Sequence, residues 1–241
     1  MSDRPNRPFI VTTEQTSSPV SIRVNVLRRN ASEQLTLVQT VTLKESTNNS
    51  SSFATGPNGS VYCAICLTPT VHEMCRTPGP AGAARPFGAA AKLHRLREAI
   101  RYICGFQFDG ESRLAASFGD NSVRVFRATR DGFSELQQIR AQYDNWSPMT
   151  LVGLKDSAFC IRSSDSADSK VKYDIELCAA DASGALSSPR RLKQFTNRVT
   201  LWCHSRVPDD PLNSAPRIIA AEWNSDDSST TFLRVFCLQQ D

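Results

Sequence analysis

The residues best suited to chemistry lie close together in the first third of the chain. Four potential zinc ligands occur there: Cys63, Cys66, His72 and Cys75. Tetrahedral zinc takes thiolate and imidazole donors of this kind. The run 61–67 is apolar, however, and buried free cysteines are common in such runs. We therefore predict thiols without bound metal, and a small zinc-binding adaptor is the alternative.

Other catalytic chemistry has few residues to build on. The chain has 3 histidines and lacks a Gly-x-Ser-x-Gly elbow, a phosphate-binding Gly-rich loop and a His-Glu-x-x-His motif. Cys203 and His204 are consecutive on a predicted strand, so their side chains point to opposite faces. We expect no catalytic residue and no cofactor, and hence a protein that is not an enzyme.

The densest group of basic residues offers a contact for an acidic protein partner. The predicted partner-binding residues are Arg85, Lys92, Arg95, Arg97 and Arg101. A solvated surface without a partner is the alternative. The net charge is only +4 and the other basic residues are scattered, so the sequence does not predict a specific nucleic-acid binder.

Residues 102–126 contain the clearest local pattern, which is three short strands separated by two turns. Asp109-Gly110 is typical of a tight hairpin turn, because both residues tolerate positive φ. Gly119-Asp120 begins the second turn, and the alternation from Val123 to Phe126 then predicts a half-buried strand. This succession predicts part of an antiparallel sheet.

Related strands recur along the chain. The hydrophobic-Arg-Val pattern of Val123 to Val125 also occurs at 22–24 and 233–235. Repetition of this kind predicts an all-β propeller with degenerate blades, forming a single domain over 1–241. The predicted blades cover 8–44, a segment beginning near Phe53, 98–140, 146–195 and 197–241. The last pattern ends after a third strand, so we expect either a fragment or a sheet that a partner or the amino-terminal strands complete.

One segment departs from the strand pattern. Residues 77–91 are rich in Pro, Gly and Ala, and Leu93, Leu96 and Ile100 then follow at helical spacing. The spacing predicts a short amphipathic helix over 89–100, within a basic insertion at 77–97.

The string FDGESRLAASFGDNSVRVF resembles a blade of the WD-repeat (WD40-like) family, in which Phe126 takes the place of the usual Trp. With the irregular first blade and the later VPDDPLNSAPRIIAAEWN, the order of features is also similar to ER-export guanine-nucleotide exchange factors related to prolactin regulatory element-binding protein. The first resemblance implies a scaffold for protein partners in a larger assembly. The second implies an exchange factor for a small GTPase in COPII vesicle transport.

The sequence also suggests a location. Residues 1–15 lack the apolar core of a secretory signal, and no run of 18 apolar residues occurs. The 8 cysteines lie mostly singly in apolar runs, which favours free thiols in a reducing compartment. We expect an intracellular, cytoplasmic protein without a membrane span, and the second resemblance implies the cytosolic face of the ER.

Overall fold

The structure is a computed structural model in which the regular elements are almost entirely strands, so the predicted all-β class is confirmed. The residues it describes are 9–17, 20–29, 32, 34–43, 51–56, 59–77, 86–129, 132–140, 146–154, 158–165, 171–181, 183, 185–204, 217–223 and 231–237.

The described strands form four antiparallel sheets, each following the order of the chain. The first sheet contains β1 (Phe9–Ser17), β2 (Val20–Arg29) and β3 (Leu35–Leu43). The second contains β4 (Ser51–Thr55), β5 (Val61–Ile65), β6 (Thr68–Met74), β7 (Lys92–Phe108), β8 (Glu111–Phe118), β9 (Val123–Thr129) and β10 (Gly132–Ile139). The third contains β11 (Ser147–Gly153), β12 (Ala158–Asp165), β13 (Lys172–Ala179) and β14 (Arg190–Phe195). The fourth contains β15 (Val199–His204), β16 (Arg217–Trp223) and β17 (Thr231–Cys237).

The long strand β7 divides the seven-stranded sheet into two blades. Its first part pairs with β6 from Lys92 to Arg95, and its second part pairs with β8 from Ile100 onward, with Ile100 also opposite Thr68 of β6. The residues between these positions form a wide bulge, which changes the direction of the chain. We therefore describe β1–β3 as blade 1, β4–β6 with 92–99 as blade 2, 100–108 with β8–β10 as blade 3, β11–β14 as blade 4 and β15–β17 as blade 5.

The predicted strands within 102–126 agree with the structure. β7 and β8 are joined by a hairpin turn in which Asp109 has φ 48° and Gly110 has φ 74°. Val123 and Val125 are buried on one face of β9, as the alternation predicted. Phe126 on the opposite face is buried as well, against blade 2, so the expectation of a half-buried strand is wrong.

The predicted helix over 89–100 is wrong, because 92–100 belong to strand β7. His94 is buried, while its neighbours Leu93 and Arg95 are exposed, which is the alternation of a strand. The edge of β6 supplies hydrogen-bond partners for this segment, and the bulge before Ile100 disturbs the period of two. The alternation and the bulge together place apolar residues at a spacing that resembles a helix. Pairing with β6 nevertheless makes this segment a strand.

Fourth strands share a register feature that relates the blades to one another. One residue of each strand lies opposite a buried aliphatic residue of the third strand, and in blades 1, 3 and 4 this residue is next to a bulge. The pairs are Gln39 with Val26, His94 with Val71, Gln137 with Val125 and Lys193 with Ile175. By this measure, β3 is a fourth strand like β10 and β14.

Two glutamines confirm this assignment. The Gln39 amide donates to the Phe87 carbonyl oxygen over 2.8 Å and accepts from the Phe87 N–H over 3.0 Å. Gln137 makes the same pair of bonds with Leu186, over 2.9 and 2.8 Å. Each glutamine thus joins a fourth strand to the following blade. Blade 1 accordingly contains second, third and fourth strands, whereas β15–β17 begin with the inner strand of blade 5.

Apolar side chains fill the space between each pair of consecutive blades. Val24 and Ile65 belong to the cluster between blades 1 and 2, and Leu114 belongs to the cluster between blades 2 and 3. The next two clusters include Phe159 and Leu201. Burial of these faces against one another, rather than in one common core, is the arrangement expected of stacked blades.

The inner strands of blades 2, 3 and 4 approach one another very closely. A Cβ atom added to Gly105 of β7 would lie 2.7 Å from the Thr55 carbonyl oxygen of β4. One added to Gly153 of β11 would overlap the Gly105 carbonyl oxygen. Because the obstructing atoms are backbone, a side chain at either position would force the strands apart.

Gly153→Ala should therefore destabilise the chain by more than about 2 kcal/mol, the cost of overpacking a rigid site. Equilibrium urea unfolding measures this free energy. Gly119→Ala is the matched control, since no atom lies within 4 Å of a Cβ there. Equal stability of the two variants would contradict the close approach of the inner strands.

Candidate functional site

The exposed basic residues lie on the first part of β7, which is the outer strand of blade 2. Lys92, Arg95 and Arg97 are exposed, and the described residues include no ion pair for either arginine. Arg85 lies outside the described residues. We call Lys92, Arg95 and Arg97 the basic rim.

Arg101 differs from the other predicted binding residues because it is partly buried and bonded within the chain. Its guanidinium donates to Asn121 Oδ1 over 3.3 Å and to Ser147 Oγ over 3.0 Å. These bonds join blade 3 to the first residue of β11. The geometry gives Arg101 a structural task, and its predicted contact with a partner stays a prediction.

A buried polar contact fixes the strand that carries the basic rim. His94 Nε2 lies 2.8 Å from Glu73 Oε2 on β6, and only 6% of His94 is exposed. The rings of Tyr62 and Phe133 lie edge-on to the imidazole. Burial and the nearby Glu73 carboxylate raise the pKa of Tyr62 to about 12. The sequence analysis did not single out this pair, since Glu73 and His94 are 21 positions apart.

A second network holds the bulge between the two parts of β7. Arg124 of β9 donates to Glu98 over 2.7 Å and to Asp120 over 2.9 Å, and its guanidinium lies 4.6 Å from the ring centre of Phe118. Glu98 is therefore engaged by Arg124 rather than by Arg95 or Arg97. Because Arg124 neutralises the Glu98 carboxylate, Glu98 does not cancel the positive charge of the basic rim.

Asp120 organises this network from the turn before β9. It accepts bonds from the backbone N–H and hydroxyl of Ser122, over 3.0 and 2.6 Å. Burial raises the pKa of Asp120, but the bonds from Ser122 and Arg124 outweigh burial, so its pKa falls below 3.8. The carboxylate is thus charged at neutral pH and anchors Arg124.

The structure does not bring the four candidate zinc ligands of the zinc-binding alternative together. Cys63 and His72 are paired across β5 and β6 and face blade 1. Cys66 lies in the turn before β6, whereas Cys75 follows the other end of this 7-residue strand, roughly 23 Å away at 3.3 Å per residue. Among the described residues, no group of three or more His, Cys, Asp or Glu side chains could hold a metal ion.

The six cysteines whose side chains the structure describes are thiols outside disulfides, and they are Cys63, Cys66, Cys75, Cys104, Cys160 and Cys178. Cys63 and Cys178 are fully buried, and burial raises the pKa of each thiol to about 12. Such thiols stay protonated at neutral pH and are poor nucleophiles. Cys75 is exposed as a residue. Partial burial of its thiol, together with the nearby Glu73 carboxylate, raises the pKa of this thiol as well.

A buried polar cluster and a surface groove lie away from the basic rim. Trp146 Nε1 and Ser163 Oγ donate to the buried Glu176 carboxylate over 2.6 and 2.7 Å, so these groups satisfy one another inside blade 4. An open groove of about 450 Å³ runs along β3 and is lined by Leu37, Val38, Gln39, Thr40 and Ala89. None of the residues that line this groove is titratable.

In the described part of the chain, no helix has the length and apolar character needed to cross a membrane.

The chain is similar to the β-propeller domain of Nup133 from Vanderwaltozyma polyspora, with a TM-score of 0.50 and 12% identity over 97% of this chain and 76% of that one. It is also similar to the N-terminal domain of Nup159, with a TM-score of 0.49 and 9% identity over 95% of this chain. The chain spans 61% of the length of that Nup159 structure. No protein-family model and no curated protein sequence matches the chain.

The likeness to the Nup133 domain confirms the predicted propeller fold. It does not extend to the finer resemblances, because neither the WD-repeat family nor the ER-export exchange factors gain support from these comparisons. The fold therefore stands independently of either family.

Asp120→Asn should lower the free energy of unfolding by about 1 kcal/mol at pH 7, because the charge-assisted bonds to Arg124 and Ser122 weaken. The pKa of Asp120 is lower in the folded chain than in the unfolded one, so its stabilisation is complete above about pH 4. The difference between variant and natural chain should shrink as the pH falls through the folded pKa. Urea unfolding at pH 7 and pH 3 measures it, with exposed Asp109→Asn as the control.

Purified chain should contain no stoichiometric zinc, because the four candidate donors lie too far apart to share one ion. Elemental analysis by mass spectrometry, after exchange into metal-free buffer, checks this. A zinc ion bound to each chain and lost in Cys63→Ser would show that the donors come together in solution.

Proposed function

We propose that this chain is a non-enzymatic scaffold that binds other proteins within a larger assembly, with the basic rim as one contact surface. The observation that carries the proposal is the exposure of Arg95 and Arg97 on a strand that packing holds in place. An arginine with a structural role forms ion pairs within the chain, as Arg124 does with Glu98 and Asp120. Arg95 and Arg97 have no such ion pair among the described residues.

The form of the surface suggests the class of partner. The basic rim lies on an outer strand, where a partner meets side chains rather than a deep pocket. Arginine guanidinium groups bind carboxylates in a planar, bidentate geometry. The partner surface that fits best is therefore an acidic one on another protein. The buried Glu73–His94 contact pre-organises the strand, which lowers the entropy lost on binding.

We also propose a cytoplasmic location, since buried cysteines outside disulfides are typical of proteins from reducing compartments. No contact or residue match favours the nucleotide-exchange alternative, and the separated donors argue against a zinc-binding adaptor. The scaffold remains the function that agrees with all the described geometry.

Reversing both charges, as Arg95→Glu with Arg97→Glu, should abolish binding to acidic partners, because attraction becomes repulsion. We would measure it by quantitative mass spectrometry of proteins retained from a lysate of the source cells by immobilised chain. Retention by the natural chain should also weaken as salt rises, because exposed charges are screened over about 8 Å at physiological ionic strength.

The matched control is Arg190→Glu with Lys193→Glu, which makes the same charge change at exposed positions on the outer strand of blade 4. Urea unfolding should show equal stability for both double variants. If the two variants retain the same proteins as the natural chain, the basic rim is a solvated surface and the proposal fails.

A further inference from the structure

Arg162 of β12 is a buried cation whose charge has no counter-ion in the described part of the chain. Only 6% of the residue is exposed, and its Nε atom has no hydrogen-bond partner. None of the ion pairs among the described residues includes Arg162. Burial of an unpaired charge is costly, so such a group in a folded protein requires an explanation. A bound anion is one such explanation.

The buried carboxylates of blade 4 lie on the opposite face of the sheet from Arg162. Cys160, two positions before Arg162, belongs to the apolar cluster between blades 4 and 5, so Arg162 faces blade 5. Asp174 and Glu176 lie opposite the residues on either side of Arg162, and their side chains therefore point toward blade 3. A counter-ion for Arg162 must approach from the side of blade 5.

Glu222 of β16 is a carboxylate on the side of blade 5 that faces blade 4. It lies opposite Val199, which belongs to the apolar cluster between these two blades. Glu222 accepts hydrogen bonds from the Asn197 amide over 3.1 Å and from the Arg234 guanidinium. The charge of Glu222 is thus already neutralised by Arg234.

Blade 5 also brings a second cation to this position. Arg198, directly before β15, is exposed and takes part in none of the ion pairs among the described residues. Burial lowers the pKa of Arg162, the nearby Tyr173 opposes this, and the charge of Arg198 adds to it. The two guanidinium groups therefore lie close enough to repel each other. An anion between them would replace this repulsion by attraction.

Aromatic rings hold both guanidinium groups by their faces. The Arg162 Cζ atom lies 5.1 Å from the ring centre of Tyr173, and the Arg198 Cζ atom lies 5.5 Å from the ring centre of Trp223. Contact with a ring face leaves the N–H groups at the edge of a guanidinium free to donate. These edges match the oxygens of phosphate and carboxylate groups in a bidentate geometry.

We propose that Arg162 and Arg198 bind a small phosphate dianion between blades 4 and 5, either as the free ion or as the phosphate group of a small molecule. Two cations without a counter-ion favour phosphate over a carboxylate, because phosphate groups carry close to two negative charges at neutral pH. The burial of Arg162 favours a compact ligand. Bound there, the phosphate would join a residue of blade 4 to a residue of blade 5.

A phosphorus NMR titration of the full chain tests this site with inorganic phosphate and with O-phosphoserine as probes. At least one probe should bind saturably with a Kd of about 1 mM or lower. Tighter binding of inorganic phosphate would identify the free ion, and tighter binding of O-phosphoserine would identify a phosphorylated small molecule. Sulfate should displace the bound probe, whereas acetate at equal ionic strength should require at least about tenfold higher concentration.

Arg198→Gln should weaken phosphate binding at least about tenfold, because hydrogen bonds between charged groups contribute this much or more. The matched control is Arg190→Gln, which removes one exposed positive charge from β14 and should leave binding unchanged.

Arg162→Met replaces the buried cation by an unbranched apolar side chain. In phosphate-free buffer this variant should have a higher urea midpoint than the natural chain, because a buried charge without a partner destabilises the fold. Added phosphate should raise the midpoint of the natural chain and leave that of Arg162→Met unchanged, since binding stabilises only a chain that has the site.

Three results would overturn the proposal. The first is the absence of saturable binding by either probe up to about 10 mM. The second is equal phosphate binding by Arg198→Gln, Arg190→Gln and the natural chain. The third is a lower urea midpoint for Arg162→Met in phosphate-free buffer, because the chain itself would then supply the counter-ion of Arg162. None of these results depends on the basic rim, so the proposed function is tested separately.

Discussion

The close approach of the inner strands is the constraint on which the rest of the structure depends. Gly105 and Gly153 lack side chains where their backbones meet the neighbouring inner strands. Outside that point the blades diverge, and the larger residues of the second and third strands fill the widening space between them. The same geometry fixes where outer strands and their connections must lie. Packing at the centre therefore determines where surface features such as the basic rim lie.

Strand β7 connects this centre to the surface in a single element. Its second part is an inner strand of blade 3, and its first part is the outer strand of blade 2. The bulge between the parts is held by Glu98, Arg124 and Asp120. Because the strand is continuous, the Glu98–Arg124–Asp120 network lies next to the basic rim.

Local patterns predicted the elements that depend on neighbours in the sequence. The Asp109-Gly110 turn and the alternation around Val125 were readable because turn chemistry and side-chain period are local. Residues 92–100 were misread as a helix because pairing with β6, which the sequence does not reveal, decided their conformation. The zinc alternative depends on contacts of the same kind, and β6 places Cys66 and Cys75 at its opposite ends. Gln39 and Gln137 each bond to a residue about 50 positions further along the chain, so no local pattern in the sequence could predict these bonds.

Hydrogen–deuterium exchange of backbone amides, read by mass spectrometry on the natural chain, tests the central claim most directly. The account predicts the slowest exchange in 103–108 and 150–153, because these inner strands are enclosed by adjoining blades. Exchange should be faster in 92–99, at an outer edge, and in 231–237, the last strand that the structure describes in blade 5. If the inner segments exchange as fast as these edges, the strands do not pack around a common centre, and the propeller account is contradicted.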